Sequence, residues 1–109
     1  MNIIPINQDY SVAPQITVDD VQAIADHGFK SIMCNRPDNE SPGQPPVAEI
    51  QAEAERLGLG FSFVPVVSGQ IQPQNITDFQ AAIQDLPKPV LAYCRSGARC
   101  GHLFEMAGI

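Results

Sequence analysis

Positive charge, cysteine and histidine are all scarce in this 109-residue chain. It carries six Lys and Arg against twelve Asp and Glu, three cysteines and two histidines. A formal net charge of −6 argues against a nucleic-acid surface or an anionic membrane surface as partner. Three cysteines cannot all pair and show no framework spacing, which points to a reducing compartment and hence to the cytoplasm. Cys100 and His102 alone are too few to form a metal motif, and no cofactor is expected. No apolar run approaches membrane-spanning length, and the opening MNIIPINQDY lacks the basic and apolar regions of a signal peptide.

What remains is the composition of one ordinary globular domain, residues 1–109, 44% hydrophobic and 17% charged. Tyr10–Ala13 predicts a short strand. ITVDDVQAIADHGF predicts a helix, with Thr17 as cap, Val18, Val21, Ile24 and Ala25 on one face, and Gly28 as the stop. Phe29–Asn35 suits a buried strand, and four of the ten prolines then make Pro37–Pro46 a loop. VAEIQAEAERLG predicts a second helix, Phe61–Val67 a strand, Ser68–Asn75 a loop, and ITDFQAAIQDL a third helix. Val90–Tyr93 is an apolar β run suited to the centre of a sheet, and CGHLFEMAG predicts a last short helix. The alternation implies an α/β fold: a parallel sheet of about four strands flanked by helices. Ligands of such sheets gather at the carboxyl ends of the strands.

One loop there concentrates chemistry. YCRSGARC places Cys94 between the last strand and the last helix, followed by Arg95, Ser96, Gly97, Ala98 and Arg99. Backbone N–H groups of such a turn form a nest for an anion, Gly97 permits the left-handed turn, and an arginine fork matches a tetrahedral oxyanion. Each effect favours a thiolate, so Cys94 is expected to titrate below ~8.5 and to attack an anionic substrate. Cys34 reads as a plain core cysteine. Cys100 is either a packing residue or a thiol that resolves oxidised Cys94. His102 reads as a surface or capping residue, and His27 as a dipole contact at a helix end.

From DYSVAPQITVDD through NRPD and PVVSGQ to YCRSG, nearly the whole chain resembles the phosphatase-like domain of beta-lactamase-hydrolase-like proteins. The resemblance implies a fold like that of dual-specificity cysteine phosphatases, with the active loop between the last strand and the last helix. It also implies a final helix that normally runs further than this chain. Cysteine phosphatases space Cys and Arg by five residues, whereas four separate Cys94 from Arg99, as in rhodanese sulfurtransferases. The loop that would carry the phosphatase aspartate, Ser68–Asn75, has no carboxylate. Asp38 of NRPDNE is the candidate substitute acid, and Arg36 a candidate further anion contact, although a turn role and a surface ion pair are their plainer readings.

Both departures lead to sulfur transfer through a Cys94 persulfide as the first reading, since that chemistry needs no comparable acid. The alternatives are phosphatase action through a Cys94 phosphocysteine, and a non-catalytic anion-binding module. The expected partner is a small anion: thiosulfate, a persulfide or a phosphate ester. The family also suggests a metallo-beta-lactamase-like domain resembling persulfide dioxygenases as a partner for the first reading.

Overall fold

The computed structural model describes residues 1–109. Nine elements follow in order: β1 (Ile4–Pro5), β2 (Tyr10–Ala13), α1 (Asp20–Asp26), β3 (Ser31–Cys34), α2 (Val47–Arg56), β4 (Gly60–Phe63), α3 (Pro73–Asp85), β5 (Val90–Tyr93) and α4 (Ala98–Ala107). They build a five-stranded sheet in the order β1-β2-β5-β3-β4. Four strands are parallel, as the alternation predicts, and β1 adds an antiparallel edge against β2. β1 escapes a reading by period because it is two residues long, and Pro5 suits it to an edge.

β5 lies at the centre, paired on both sides, with all four residues buried. Its alternation divides the core. Leu91 and Tyr93 face Ile32, Cys34 and the apolar sides of α1 and α2, including Val21, Ile24, Ile50 and Ala54. Val90 and Ala92 face Tyr10, Met33 and the apolar sides of α3 and α4, including Phe79, Ile83 and Leu103. The result is a helix–sheet–helix sandwich. Each fully buried large apolar side chain in it contributes roughly 1.5–3 kcal/mol relative to exposure.

Local chemistry accounts for where several elements begin and end. Thr17 does not cap α1 through its side chain; its own N–H donates instead to Asp20 Oδ2 at 2.8 Å. β4 stops at Phe63, short of the predicted Val67, with Pro65 just beyond it. Backbone bonds nonetheless tie Val64 and Val66 to the carbonyls of Cys34 and Asn35. α3 starts at Pro73, earlier than its apolar period suggests. Proline suits the first helical turn, and the Gln72 N–H donates to Asn75 Oδ1 at 2.7 Å. α4 likewise begins early, at Ala98, placing Arg99 in its first turn.

The register brings the strand ends level: Tyr93 pairs with both Ala13 and Cys34, and Cys34 with Phe63. The segments after β2, β3, β4 and β5 therefore emerge together along one edge of the sheet. No helix is long and apolar enough to cross a membrane.

Candidate active site

Cys94 is the first residue after β5, and strand pairing continues just far enough to anchor it. Its N–H donates to the Ala13 carbonyl at 3.3 Å, and the Arg95 carbonyl accepts from the Gln15 N–H at 3.3 Å. Because side chains alternate along β5, Tyr93 packs on the α1–α2 face and Cys94 on the α3–α4 face, where it meets Cys100. Gly97 makes the turn into α4 with φ +93°. A Cβ there would lie in the left-handed region and 3.4 Å from the Ala13 carbonyl carbon.

The loop wraps donors around the sulfur. The Gly97 N–H donates to Cys94 Sγ at 3.1 Å. The Cys100 thiol has the largest effect on Cys94. Together with the backbone N–H groups of Cys100, Ser96 and Gly97 it overcomes burial and lowers the Cys94 pKa to about 5. Cys94 is thus a thiolate at neutral pH, at the N-terminal end of α4 where the helix dipole also favours negative charge. Cys100 moves the opposite way. Burial, and then the neighbouring Cys94 thiol, push its pKa well above the ordinary thiol value, so it remains protonated.

Arg99 is held more firmly than its sequence position suggests. Its Nη1 donates to Glu40 Oε2 at 2.7 Å and to the Val66 carbonyl at 2.8 Å, and its Nη2 donates to Glu40 Oε1 at 2.9 Å. A guanidinium has five N–H donors. Nε–H and one Nη2–H therefore remain, adjacent on one edge of the group, for an oxyanion. Arg99 also lines the cavity above the loop.

Glu40 is the site residue that sequence reasoning missed as more than a surface partner. It accepts from Arg36 Nε at 2.9 Å as well as from Arg99. Bonds from Arg99 outweigh the opposing burial and, with Arg36, hold its carboxyl down to about 2. The available signal was indirect: two arginines near the strand ends would need a counter-charge if buried. Arg36 itself is placed away from the cavity, whose lining does not include it. Its Nε serves Glu40, Nη1 donates to Gln15 Oε1 at 3.0 Å and Nη2 to Ser41 Oγ at 3.0 Å. It braces Arg99 through Glu40 rather than facing an anion. Asp38 is also elsewhere: its Oδ1 accepts the Val47 N–H at 2.9 Å and so caps α2. A carboxylate at a helix N-terminus is well placed for that role and does not line the cavity.

The cavity has a volume of about 500 Å³. Arg95, Ser96, Ala98 and Arg99 form the side next to Cys94, with Ser68, Gly69 and Ile71 from the segment after β4, and His102 and Met106 from α4. No carboxylate lines it. His102, which the sequence suggests is a surface or capping residue, is exposed but borders the cavity one turn beyond Arg99. It is the one lining side chain able both to accept and to donate a proton. No group of three or more His, Cys, Asp or Glu side chains is placed to hold a metal.

The model of the beta-lactamase hydrolase-like protein phosphatase-like domain matches residues 3–108. The chain belongs to this family. Beta-lactamase hydrolase-like proteins from Xylella fastidiosa and Agrobacterium fabrum are 37% identical over 109 residues and 34% identical over 106. These alignments take in 100% and 97% of this chain but 25% of each relative, so the chain spans about a quarter of their length. Among solved structures, a candidate phosphatase from Neisseria meningitidis is 40% identical with a TM-score of 0.87, over 95% of this chain and 74% of that one. The catalytic core of a PP-IP phosphatase from S. cerevisiae shares the fold at 19% identity, with a TM-score of 0.71, over 94% of this chain and 62% of that one. The phosphatase-like domain is thus a mixed α/β fold similar to the cysteine phosphatases.

Proposed function

We propose that this phosphatase-like domain is a cysteine-dependent phosphatase acting on small phosphate compounds with stable leaving groups. The observation that carries the reading is the Cys94 sulfur, held as a thiolate by inward N–H groups of the loop whose Arg95, Ser96, Ala98 and Arg99 line the cavity. Its likeness to phosphatases favours phosphorus over sulfur. The Cys94 thiolate attacks phosphorus, an S–P bond forms, and the bond to the leaving oxygen breaks. Water then attacks the phosphocysteine, releasing phosphate and restoring the thiolate. Loop N–H groups and the free edge of Arg99 stabilise the transferring phosphoryl oxygens.

The lining determines the substrate class. Without a carboxylate acid, an alkoxide leaves poorly, whereas a phenolate or a second phosphate leaves without full protonation. His102 is the proton donor in this reading, supplemented by water. Purified protein should therefore hydrolyse p-nitrophenyl phosphate or pyrophosphate, and Cys94→Ser should reduce turnover at least about a thousandfold. His102→Gln should slow alkyl phosphates more than p-nitrophenyl phosphate. Absence of turnover on both test substrates, with the protein folded and Cys94 alkylated readily, would overturn the reading.

Sulfur transfer is the second reading, favoured by the four-residue spacing of Cys94 and Arg99 and by the carboxylate-free cavity. In it, Cys94 takes the outer sulfur of thiosulfate and sulfite leaves. A metallo-beta-lactamase-like domain resembling persulfide dioxygenases would accept the persulfide. Intact mass after thiosulfate treatment separates the two: one added sulfur atom, absent in Cys94→Ser and removed by cyanide, would establish this reading instead. If the protein binds sulfate at the loop but shows neither chemistry, the domain is an anion-binding module.

A further inference from the structure

The protein itself holds most of its few cationic side chains. Arg36 and Arg99 share Glu40, Arg56 donates to Glu53, and Lys88 Nζ donates to the carbonyls of Ile83 and Leu86. Lys30 and Arg95 have no ion-pair partner. Lys30 precedes β3 and so lies at the opposite edge of the sheet from the site. Arg95 alone is both unpaired and part of the cavity lining, which contains no carboxylate. The charges around the loop give this side chain weight. Arg36, Arg99 and Glu40 together amount to one positive charge, which the Cys94 thiolate cancels. Without Arg95, a dianionic phosphoryl group would meet no surplus of formal positive charge.

We propose that Arg95 holds a second anionic group of the substrate, the leaving one, so that phosphoanhydrides are the preferred substrates, a role that rests on the phosphatase reading of the loop. In-line attack by Cys94 sends the leaving oxygen away from the sulfur. It then points out of the loop, towards the cavity that Arg95 and His102 line. No carboxylic acid stands there to protonate an alkoxide, whereas a guanidinium can hold a second phosphate through two parallel N–H bonds. The S–P bond forms at the terminal phosphorus and the bridging P–O bond breaks. The electron pair leaves on the released phosphate, whose new charge stands against Arg95. That step needs no proton. Such a substrate accounts at once for the missing acid and for the unpaired guanidinium.

Initial rates with pyrophosphate and p-nitrophenyl phosphate, measured without divalent cations, test the role on the full chain. Arg95→Gln should lower kcat/KM for pyrophosphate at least about tenfold more than for p-nitrophenyl phosphate. Arg95→Lys should restore part of that difference. Arg95 is exposed, and no ion pair is lost on its replacement. Arg56→Gln removes the same charge away from the cavity and should leave the ratio of the two substrates unchanged. Equal losses on both substrates in Arg95→Gln, or the same selective loss in Arg56→Gln, would overturn the proposal while leaving the phosphatase reading in place. Absence of turnover on both substrates counts against that reading instead, and binding then decides for Arg95. By titration calorimetry, Cys94→Ser should bind pyrophosphate more tightly than inorganic phosphate. Adding Arg95→Gln should reduce that ratio of affinities at least about tenfold, and an unchanged ratio would remove the second anion contact.

Discussion

A thiol becomes a nucleophile here through its immediate neighbours, and the charges of the nearby arginines are secondary. The Cys100 thiol, first, and then three backbone N–H groups lower the Cys94 pKa to about 5 against the cost of burial. Alkylation of Cys94 by iodoacetamide should accordingly be half-maximal near pH 5 and nearly flat from pH 7 to 8. Cys100→Ala removes the foremost cause and should shift that midpoint upwards. An unchanged midpoint would show that the N–H groups suffice. The linkage has a definite sign: a depressed thiol pKa contributes stability that is complete above the unfolded value and lost as pH falls through about 5. Cys94, Gly97 and Arg99 were legible in YCRSGARC because a nest needs those residue types in that order. Asp38 was misplaced because the sequence does not show that its carboxylate reaches the N-terminus of α2.

Among the elements, the turn from β5 into α4 carries the most consequence. It must reverse within Arg95–Gly97, present its N–H groups to Cys94 and start a helix at Ala98. Gly97 makes this feasible at φ +93°, and a Cβ added there would meet the Ala13 backbone. Gly97→Ala should cost about 1–2 kcal/mol for the left-handed backbone alone. Because the Gly97 N–H would shift off the sulfur, turnover should fall at least about tenfold, and the alkylation midpoint should rise. Urea unfolding together with the alkylation profile checks both effects; a stable variant with an unchanged midpoint would show that this N–H contributes little. The apolar periods announced the elements but not all of their limits. Pro65, Pro73 and Gly97 set three of those limits by backbone geometry, which a hydrophobic period does not register.

Across the molecule, Glu40 connects segments far apart in the chain. From the loop after β3 it holds Arg36 beside it and Arg99 on α4, while Arg99 also reaches the carbonyl of Val66 beyond β4. Glu40→Gln would leave two buried guanidinium groups short of a counter-charge, a loss of about 3 kcal/mol at pH 7. Since the folded Glu40 pKa is held down to about 2, its contribution is complete above the usual carboxylate range and disappears as pH falls towards 2. The stability gap between wild type and Glu40→Gln, measured by urea unfolding, should therefore be smaller at pH 3 than at pH 7. An equal gap at both would assign Glu40 a role other than charge. The alternation of strands and helices, the central place of Val90–Tyr93 and the thiol loop were all determined by the amino-acid sequence. Each depends on local period, turn chemistry or a contiguous motif. Only the tertiary structure decided that Glu40 pairs with Arg99, that Asp38 caps a helix and that His102 borders the cavity. It also decided that Cys100 meets Cys94 while Cys34 lies across the sheet. Those outcomes depend on which strand ends the register brings level and which face each side chain takes, and no single stretch of sequence contains that information.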